Sequence, residues 1–197
     1  MNYAILGSGA IGTALARRFV ANGIEVSLAN TRGPDTLAGL VGELGSLIKP
    51  LTAAKALRAG MVILAIPFDA VLDAVKGVEW DSRIVVDATN AIDFPAFSPR
   101  DLGGRLSTEI VADAVPGARV VKAFNTLRAA ILGADPAALG GRRVLFVSSD
   151  DRSARLAVVD LAERLGFAAV DLGRIAEGGR AQQFGGGLSG KELVQLG

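Results

Sequence analysis

The chain contains no histidine and no cysteine. Without cysteine there are no disulfides, no thiolate nucleophile and no thiolate metal site. Without histidine, the commonest general base near neutral pH and the commonest metal ligand are both missing. A Ser-His-Asp triad and an ordinary zinc site are therefore excluded; a magnesium site built on oxygen ligands is not. There is one Trp and one Tyr. A reductase that relies on a tyrosine proton donor has only Tyr3 to use, inside an apolar run. Charge of neither sign is in excess: 21 Lys and Arg against 20 Asp and Glu give a net charge of +1. That balance speaks against a broad electrostatic grip on nucleic acid or anionic lipid. Long hydrophobic runs are also missing. The longest, Met61 to Phe68, is broken by Pro67 and falls far short of the ~20 residues a spanning helix needs. A short apolar stretch ending in Ala14-Leu15-Ala16 has the small residues of a signal-peptidase site, but no basic segment precedes it. The expectation is a soluble, cytoplasmic protein with no membrane and no nucleic-acid partner.

What is present is a globular composition. The chain has 197 residues, half of them hydrophobic. That length suits one domain burying roughly 70% of the surface of its unfolded form, with no need of a covalent staple. Short aliphatic runs alternate with amphipathic ones. Strands are expected at Tyr3–Leu6, Ile24–Ala29, Met61–Ile66, Arg83–Ala88, Arg119–Ala123, Arg143–Ser148 and Ala168–Leu172. Ser46–Leu51 is a weaker candidate, demoted by Pro50. Helical spacing marks Ile11–Asn22, Phe68–Lys76, a segment opening at Ser107-Thr108-Glu109, and Ser153–Leu165. Strands that are apolar throughout, separated by helices, predict an α/β fold: a doubly wound, mostly parallel sheet of the Rossmann type. The domain is expected to span residues 1–172. Residues 173–197 form a glycine-rich C-terminal appendage, expected to cover an acceptor site. Asp87–Leu106 lacks periodicity and reads as a long functional loop.

The strongest chemical signal is Gly7-Ser8-Gly9-Ala10-Ile11-Gly12, a GxGxxG sequence between a strand and a helix. The first glycine makes a tight turn, the second lets a pyrophosphate approach the backbone, and the third lets helix and strand pack closely. The helix N-terminus then offers free N–H groups and its positive dipole end to phosphate. About 20 residues on, where NAD-binding chains carry Asp or Glu for the ribose 2′-hydroxyl, stands Asn30-Thr31-Arg32. Arg32 suits a 2′-phosphate and can stack on adenine, and Thr31 offers a hydroxyl. This predicts NADP(H).

Other candidates end strands on the same sheet edge. Ile66, Pro67 and Phe68 have two open readings: flanking the nicotinamide ribose, or a proline-terminated strand with a core phenylalanine. Thr89, Asn90 and Asn125 are expected near the nicotinamide carboxamide or a second ligand, with simple turn-making as the alternative. Asp87 and Lys122 also allow the reading of a buried structural pair. Gly185–Lys191 imitates a P-loop, but Glu192 replaces the required Ser or Thr and no strand precedes it. Asp150-Asp151 reads as a helix cap, and Asp69 and Asp73 as a solvated helical face. No metal ligand set and no catalytic acid or base emerges.

The stretches GSGAIGTALARRF, NTRG, AIPFDAV, VVDATNAI and VPGARVVKAFNT, running in order from Ala4 to Leu127, resemble the NADP oxidoreductases typified by coenzyme F₄₂₀:NADP oxidoreductase. Those enzymes share their dinucleotide domain with the STEAP metalloreductases. The resemblance implies an NADPH site at Gly7–Gly12 with Thr31 and Arg32 on the 2′-phosphate. It also implies a deazaflavin (coenzyme F₄₂₀) or flavin as small-molecule redox acceptor, and commonly a homodimer. Ala91 departs from the proline often found after DATN in that family. The rival readings are a sensor or regulatory module that holds NADPH without turnover, and a reductase of another small acceptor.

Overall fold

The computed structural model describes residues 1–137 and 140–196. Its centre is a sheet in which successive side chains serve two cores. In β1 (Tyr3–Leu6), Tyr3 and Ile5 enter one core while Ala4 and Leu6 enter the other. A strand points alternate residues to opposite faces, so a strand apolar at every position must be covered on both. The first face is closed by Leu15 and Phe19 of α1 (Ala10–Ala21) and later by Val158 and Leu161 of a helix over Arg152–Arg164. Burial of a side chain such as Phe19 stabilises the fold by about 1.5–3 kcal/mol.

The chain continues through β2 (Val26–Ala29), α2 (Ala38–Leu44), β3 (Ile48–Pro50), α3 (Ala53–Ala56), β4 (Met61–Leu64), α4 (Val71–Val75) and β5 (Ile84–Asp87). A hairpin of β6 (Ile92–Asp93) and β7 (Ser98–Pro99) precedes α5 (Ser107–Ala114) and β8 (Arg119–Ala123). Then come α6 (Ala129–Gly133), β9 (Arg142–Ser148), α7 (Arg152–Arg164), β10 (Ala168–Asp171), α8 (Arg180–Gln182) and β11 (Val194–Gln195). The sheet order is β10-β9-β8-β5-β4-β1-β2-β3, with β11 also paired to β9. From β3 across to β8 all pairings are parallel, whereas β8 meets β9 antiparallel. The predicted doubly wound, mostly parallel α/β fold is the observed one. The strand order reverses between β1 and β4, and a crevice opens there at the carboxyl edge.

Several local expectations change. Pro50 is the last residue of β3, the outermost strand, where its missing N–H breaks no interior ladder. The helix expected over Phe68–Lys76 begins as a 3₁₀ turn at Phe68–Ala70 and becomes α-helical only at Val71. The segment Asp87–Leu106 is not structureless, since it carries the β6–β7 hairpin. Within residues 173–196, Val194–Gln195 pair as β11 with β9, and the Gln182 side chain is fully buried. Among the described residues no helix is long and apolar enough to cross a membrane.

Candidate cofactor cleft and nicotinamide edge

The three glycines after β1 meet different constraints. Gly7 has φ +117°, and a Cβ there would lie 2.1 Å from the Ala65 carbonyl oxygen. A Cβ on Gly12 would lie 1.9 Å from the Gly7 carbonyl oxygen. Both are forced by close approach of strand, turn and helix. Gly9 differs: its φ is an ordinary −76°, and a Cβ would meet nothing within 4 Å. Among the described residues no contact demands glycine there, and a Cβ would fill open space beside the loop. Gly9 is also the N-cap of α1, makes no side-chain cap, and no acidic residue occupies the first turn. The backbone N–H groups at this end suit the pyrophosphate of a dinucleotide.

The loop after β2 faces the glycines. Asn30 organises it: its Nδ2 donates to Ser8 Oγ at 2.9 Å and to Thr36 Oγ1 at 3.0 Å. Its Oδ1 accepts from the Arg32 backbone N–H at 2.9 Å, an Asx turn that fixes Arg32 against the glycine loop. Asn30 is thus a positioning residue. Thr31 and Arg32 are exposed, and among the described residues the Arg32 guanidinium has neither a hydrogen-bond nor an ion-pair partner. A cleft of about 560 Å³ runs from Gly7, Ser8 and Gly9 past Asn30, Thr31 and Arg32 to Ile66 and Pro67. Its far wall is Ala53, Ala70, Asp73 and Ala74, residues the sequence did not flag as cleft-forming. Ala10 and Ile11 lie in the first turn of α1. Phe68 is partly buried against the Leu6-side core, while Pro67 is exposed in the crevice.

Beyond β5 and β8 the edge is polar and closed. Asp87 and Lys122 pair directly, Nζ to Oδ2 at 3.0 Å, with both side chains wholly buried. Burial pushes the Lys122 pKa down, and the neighbouring Asp87 opposes that shift. The same carboxylate accepts from Thr108 Oγ1 at 2.8 Å and from the N–H and hydroxyl of Thr89 at 2.9 and 2.7 Å. The Thr89 side chain therefore serves this network, and its carbonyl accepts from Lys122 Nζ at 2.6 Å. Of the two readings of Asp87 and Lys122, the buried structural pair is the one observed.

The network holds up a pair of asparagines. Asn90 Nδ2 donates to the Asn125 carbonyl at 2.9 Å, and Asn125 Nδ2 donates to Asn90 Oδ1 at 3.1 Å. Asn125 Nδ2 also donates to the Gln182 carbonyl at 2.8 Å, tying the C-terminal segment to this edge. Gln182 itself donates to Phe146 O at 2.7 Å and accepts from Ser148 Oγ at 2.6 Å. With both Nδ2 protons of Asn125 engaged, its buried Oδ1 is left without a donor. An unpaired buried acceptor is costly, and this atom lacks a donor among the described residues.

The hairpin leans on the same edge, as Arg100 pairs with Asp69 after β4 and with Asp93 in the hairpin. Asp69 is therefore ion-paired and not merely solvated. Phe97 meets Phe184 of the C-terminal segment edge-on, ring centroids 5.2 Å apart. Gly185–Lys191 has no strand before it and folds back through Gly190 N–H donating to the Thr126 carbonyl at 2.9 Å. Asp151 caps α7, accepting from Ala154 N–H at 2.7 Å, and that bond holds its pKa below the usual carboxylate range. Among the described residues no three metal-ligating side chains gather.

Comparison with known proteins agrees with this geometry. Residues 2–91 match the family model described as NADP oxidoreductase, coenzyme F₄₂₀-dependent. The chain is 54% identical to the hypothetical protein SMa0349 from Sinorhizobium meliloti, with a TM-score of 0.96 covering 99% of this chain and 96% of that one. It is 28% identical to a candidate F₄₂₀-dependent NADP-reductase from Arthrobacter sp. FB24, with a TM-score of 0.75 covering 89% and 86% of the two chains. It is 30% identical over 174 residues to Metalloreductase STEAP3 from Rattus norvegicus, covering 87% of this chain and 34% of that protein. The chain thus spans about a third of the length of that curated relative. Over residues 2–91, a little under half of its length, the chain is similar to the coenzyme F₄₂₀-dependent NADP oxidoreductase family.

Proposed function

We propose that the chain binds NADPH in the crevice between β1, β2 and β4 and passes its hydride to a planar deazaflavin or flavin ring. The observation that carries this reading is the cleft itself: space above Gly9 that a Cβ would fill, facing an unpartnered Arg32. The α1 N-terminus holds the pyrophosphate, Thr31 and Arg32 hold the 2′-phosphate, and Ile66 and Pro67 flank the chain of the cofactor toward its nicotinamide. Bound NADPH supplies the hydride. The protein contributes position and exclusion of water, which is most of what ring-to-ring hydride transfer requires.

Side-chain proton donors play no part in this reading. Tyr3 stacks edge-on against Phe19 in the core, centroids 5.5 Å apart, and its hydroxyl accepts from Arg164. Lys122 is directed into Asp87 and Thr89. These arrangements favour a ring acceptor over a carbonyl or imine that needs protonation.

The test is an anaerobic NADPH oxidation screen against F₄₂₀, FMN, FAD, riboflavin, quinones and ferric chelates, repeated with 4-deuterated NADPH. A primary isotope effect with a flavin or deazaflavin is the expected result. Failure of every acceptor to oxidise bound NADPH above the uncatalysed rate would leave an NADPH-holding sensor module in its place.

Two substitutions probe the two ends of the site. Arg32→Ala removes a charge-assisted hydrogen bond, at a cost of about 1.5–3 kcal/mol. NADPH binding should weaken roughly 10- to 150-fold and NADH binding little; equal losses by calorimetry would reject the 2′-phosphate role. Asn125→Ala removes the unpaired acceptor and releases Asn90 and Gln182. Hydride transfer should slow about tenfold or more while NADPH affinity changes little, as read by stopped-flow and titration.

A further inference from the structure

Asp73, expected on a solvated helical face, is exposed on α4 and lines the same cleft as the glycine loop and Arg32. It is the single acidic residue among those that line it. Its counterpart one turn earlier, Asp69, is ion-paired with Arg100. Asp73 has no salt bridge and no side-chain hydrogen bond among the described residues. The neighbouring walls are Ala53, Ala70, Ala74 and Ile66, small or flat apolar residues that leave room for a ring.

An unpaired carboxylate in a cleft meant for a polyanion repels every phosphate of its ligand. Such a group is compatible with binding where the ligand offers it a donor. NADPH presents N–H groups at two places, the adenine amine and the nicotinamide carboxamide, and the 2′-phosphate assigned to Arg32, which lines the same cleft as Asp73, belongs to the adenosine end; the ribose hydroxyls are bracketed by phosphates.

We propose that Asp73 is a specificity residue that accepts a hydrogen bond from the exocyclic N6 amine of the adenine, while Ala53, Ala70 and Ala74 hold the ring. This rests on the reading of the cleft as an NADPH site. Discrimination follows from the acceptor-only character of a carboxylate. A purine without the 6-amino group leaves Asp73 unpaired, and a 6-oxo purine turns a carbonyl toward it.

The experiment is direct binding by calorimetry, without turnover. It compares NADPH with its analogue carrying unsubstituted purine in place of adenine, on the wild type, Asp73→Ala and Asp73→Asn. The two ligands carry the same phosphates, so their affinity ratio cancels the general effect of removing a negative charge. The wild type should prefer NADPH by roughly tenfold, the scale of one charge-assisted hydrogen bond that remains partly hydrated. The ratio should fall to about one in Asp73→Ala and stay in between in Asp73→Asn, which keeps a neutral acceptor. Because Asp73 is an exposed residue, all three proteins should fold alike. Equal binding of both ligands to the wild type overturns the proposal and leaves the NADPH site standing. A ratio unchanged by Asp73→Ala does the same. A hypoxanthine analogue that binds more tightly than NADPH also overturns it, since the carboxylate would then be reading a ring N1–H. Absence of binding by NADPH and its purine analogue alike overturns the cofactor reading and the proposal together.

Discussion

Gly9→Val is expected to reduce NADPH affinity by at least 100-fold while leaving the thermal transition close to that of the wild type. A Cβ at Gly9 meets no protein atom within 4 Å, and the backbone there has φ −76°, which valine adopts without strain. The added isopropyl group projects into the space above the α1 N-terminus, where the pyrophosphate would lie against the backbone. The neighbouring glycines supply the contrast. Gly7→Ala and Gly12→Ala place a Cβ about 2 Å from a carbonyl oxygen, at Ala65 and Gly7 respectively, so each should damage folding first and binding as a consequence. Calorimetric titration with NADPH, alongside a melting curve for each variant, separates the two behaviours. A Gly9→Val protein that folds and binds NADPH undiminished would remove the phosphate site from this loop.

Much of this was legible in the sequence because the demands are local. Three glycines at GxGxxG spacing after Tyr3–Leu6 specify turn, approach and packing within six residues, and the fold places them at the predicted crevice. The continuously apolar Met61–Leu64 reads as an interior strand because both its faces are covered. Asn30-Thr31-Arg32 follows from counting along a βαβ unit. The features that were not legible depend on contacts between distant segments. Asp73 joins the cleft because Val71 and Val75 of α4 bury into the core shared with Leu6 and Leu64, and nothing within Val71–Val75 signals that. Asn125 meets Gln182 across 57 positions of sequence. The helices Ala38–Leu44 and Ala129–Gly133 are too short and too rich in small residues to show a period. The reversal of β9 against β8 is likewise invisible, since parallel and antiparallel buried strands carry the same apolar pattern.

Lys122→Met is expected to cost about 3–5 kcal/mol of stability, because it strands a buried charge. Lys122 and Asp87 have no side-chain exposure, and Lys122 Nζ donates to both Asp87 Oδ2 and the Thr89 carbonyl. Methionine fills nearly the same volume, so the loss is electrostatic and not a cavity effect. It leaves a carboxylate in low dielectric with hydroxyl and N–H partners but no countercharge. The decisive comparison is the double variant Asp87→Asn, Lys122→Met. The amide keeps an acceptor for the Thr89 N–H and hydroxyl and offers Thr108 a donor, while no charge remains buried. Replacing both members of a buried pair is often neutral, so the double variant should recover most of the stability lost in the single one. The recovery has a functional reading as well. Thr89 precedes Asn90, and the Asn90–Asn125 pair is held at the nicotinamide edge by this network. A double variant restored in chemical denaturation but slowed in hydride transfer would mean that Lys122 also sets the position of that pair, through its bond to the Thr89 carbonyl. Equal damage in the single and double variants would place the loss in the Thr89 carbonyl, which both variants leave without its Lys122 donor, and the account by a stranded charge would be wrong.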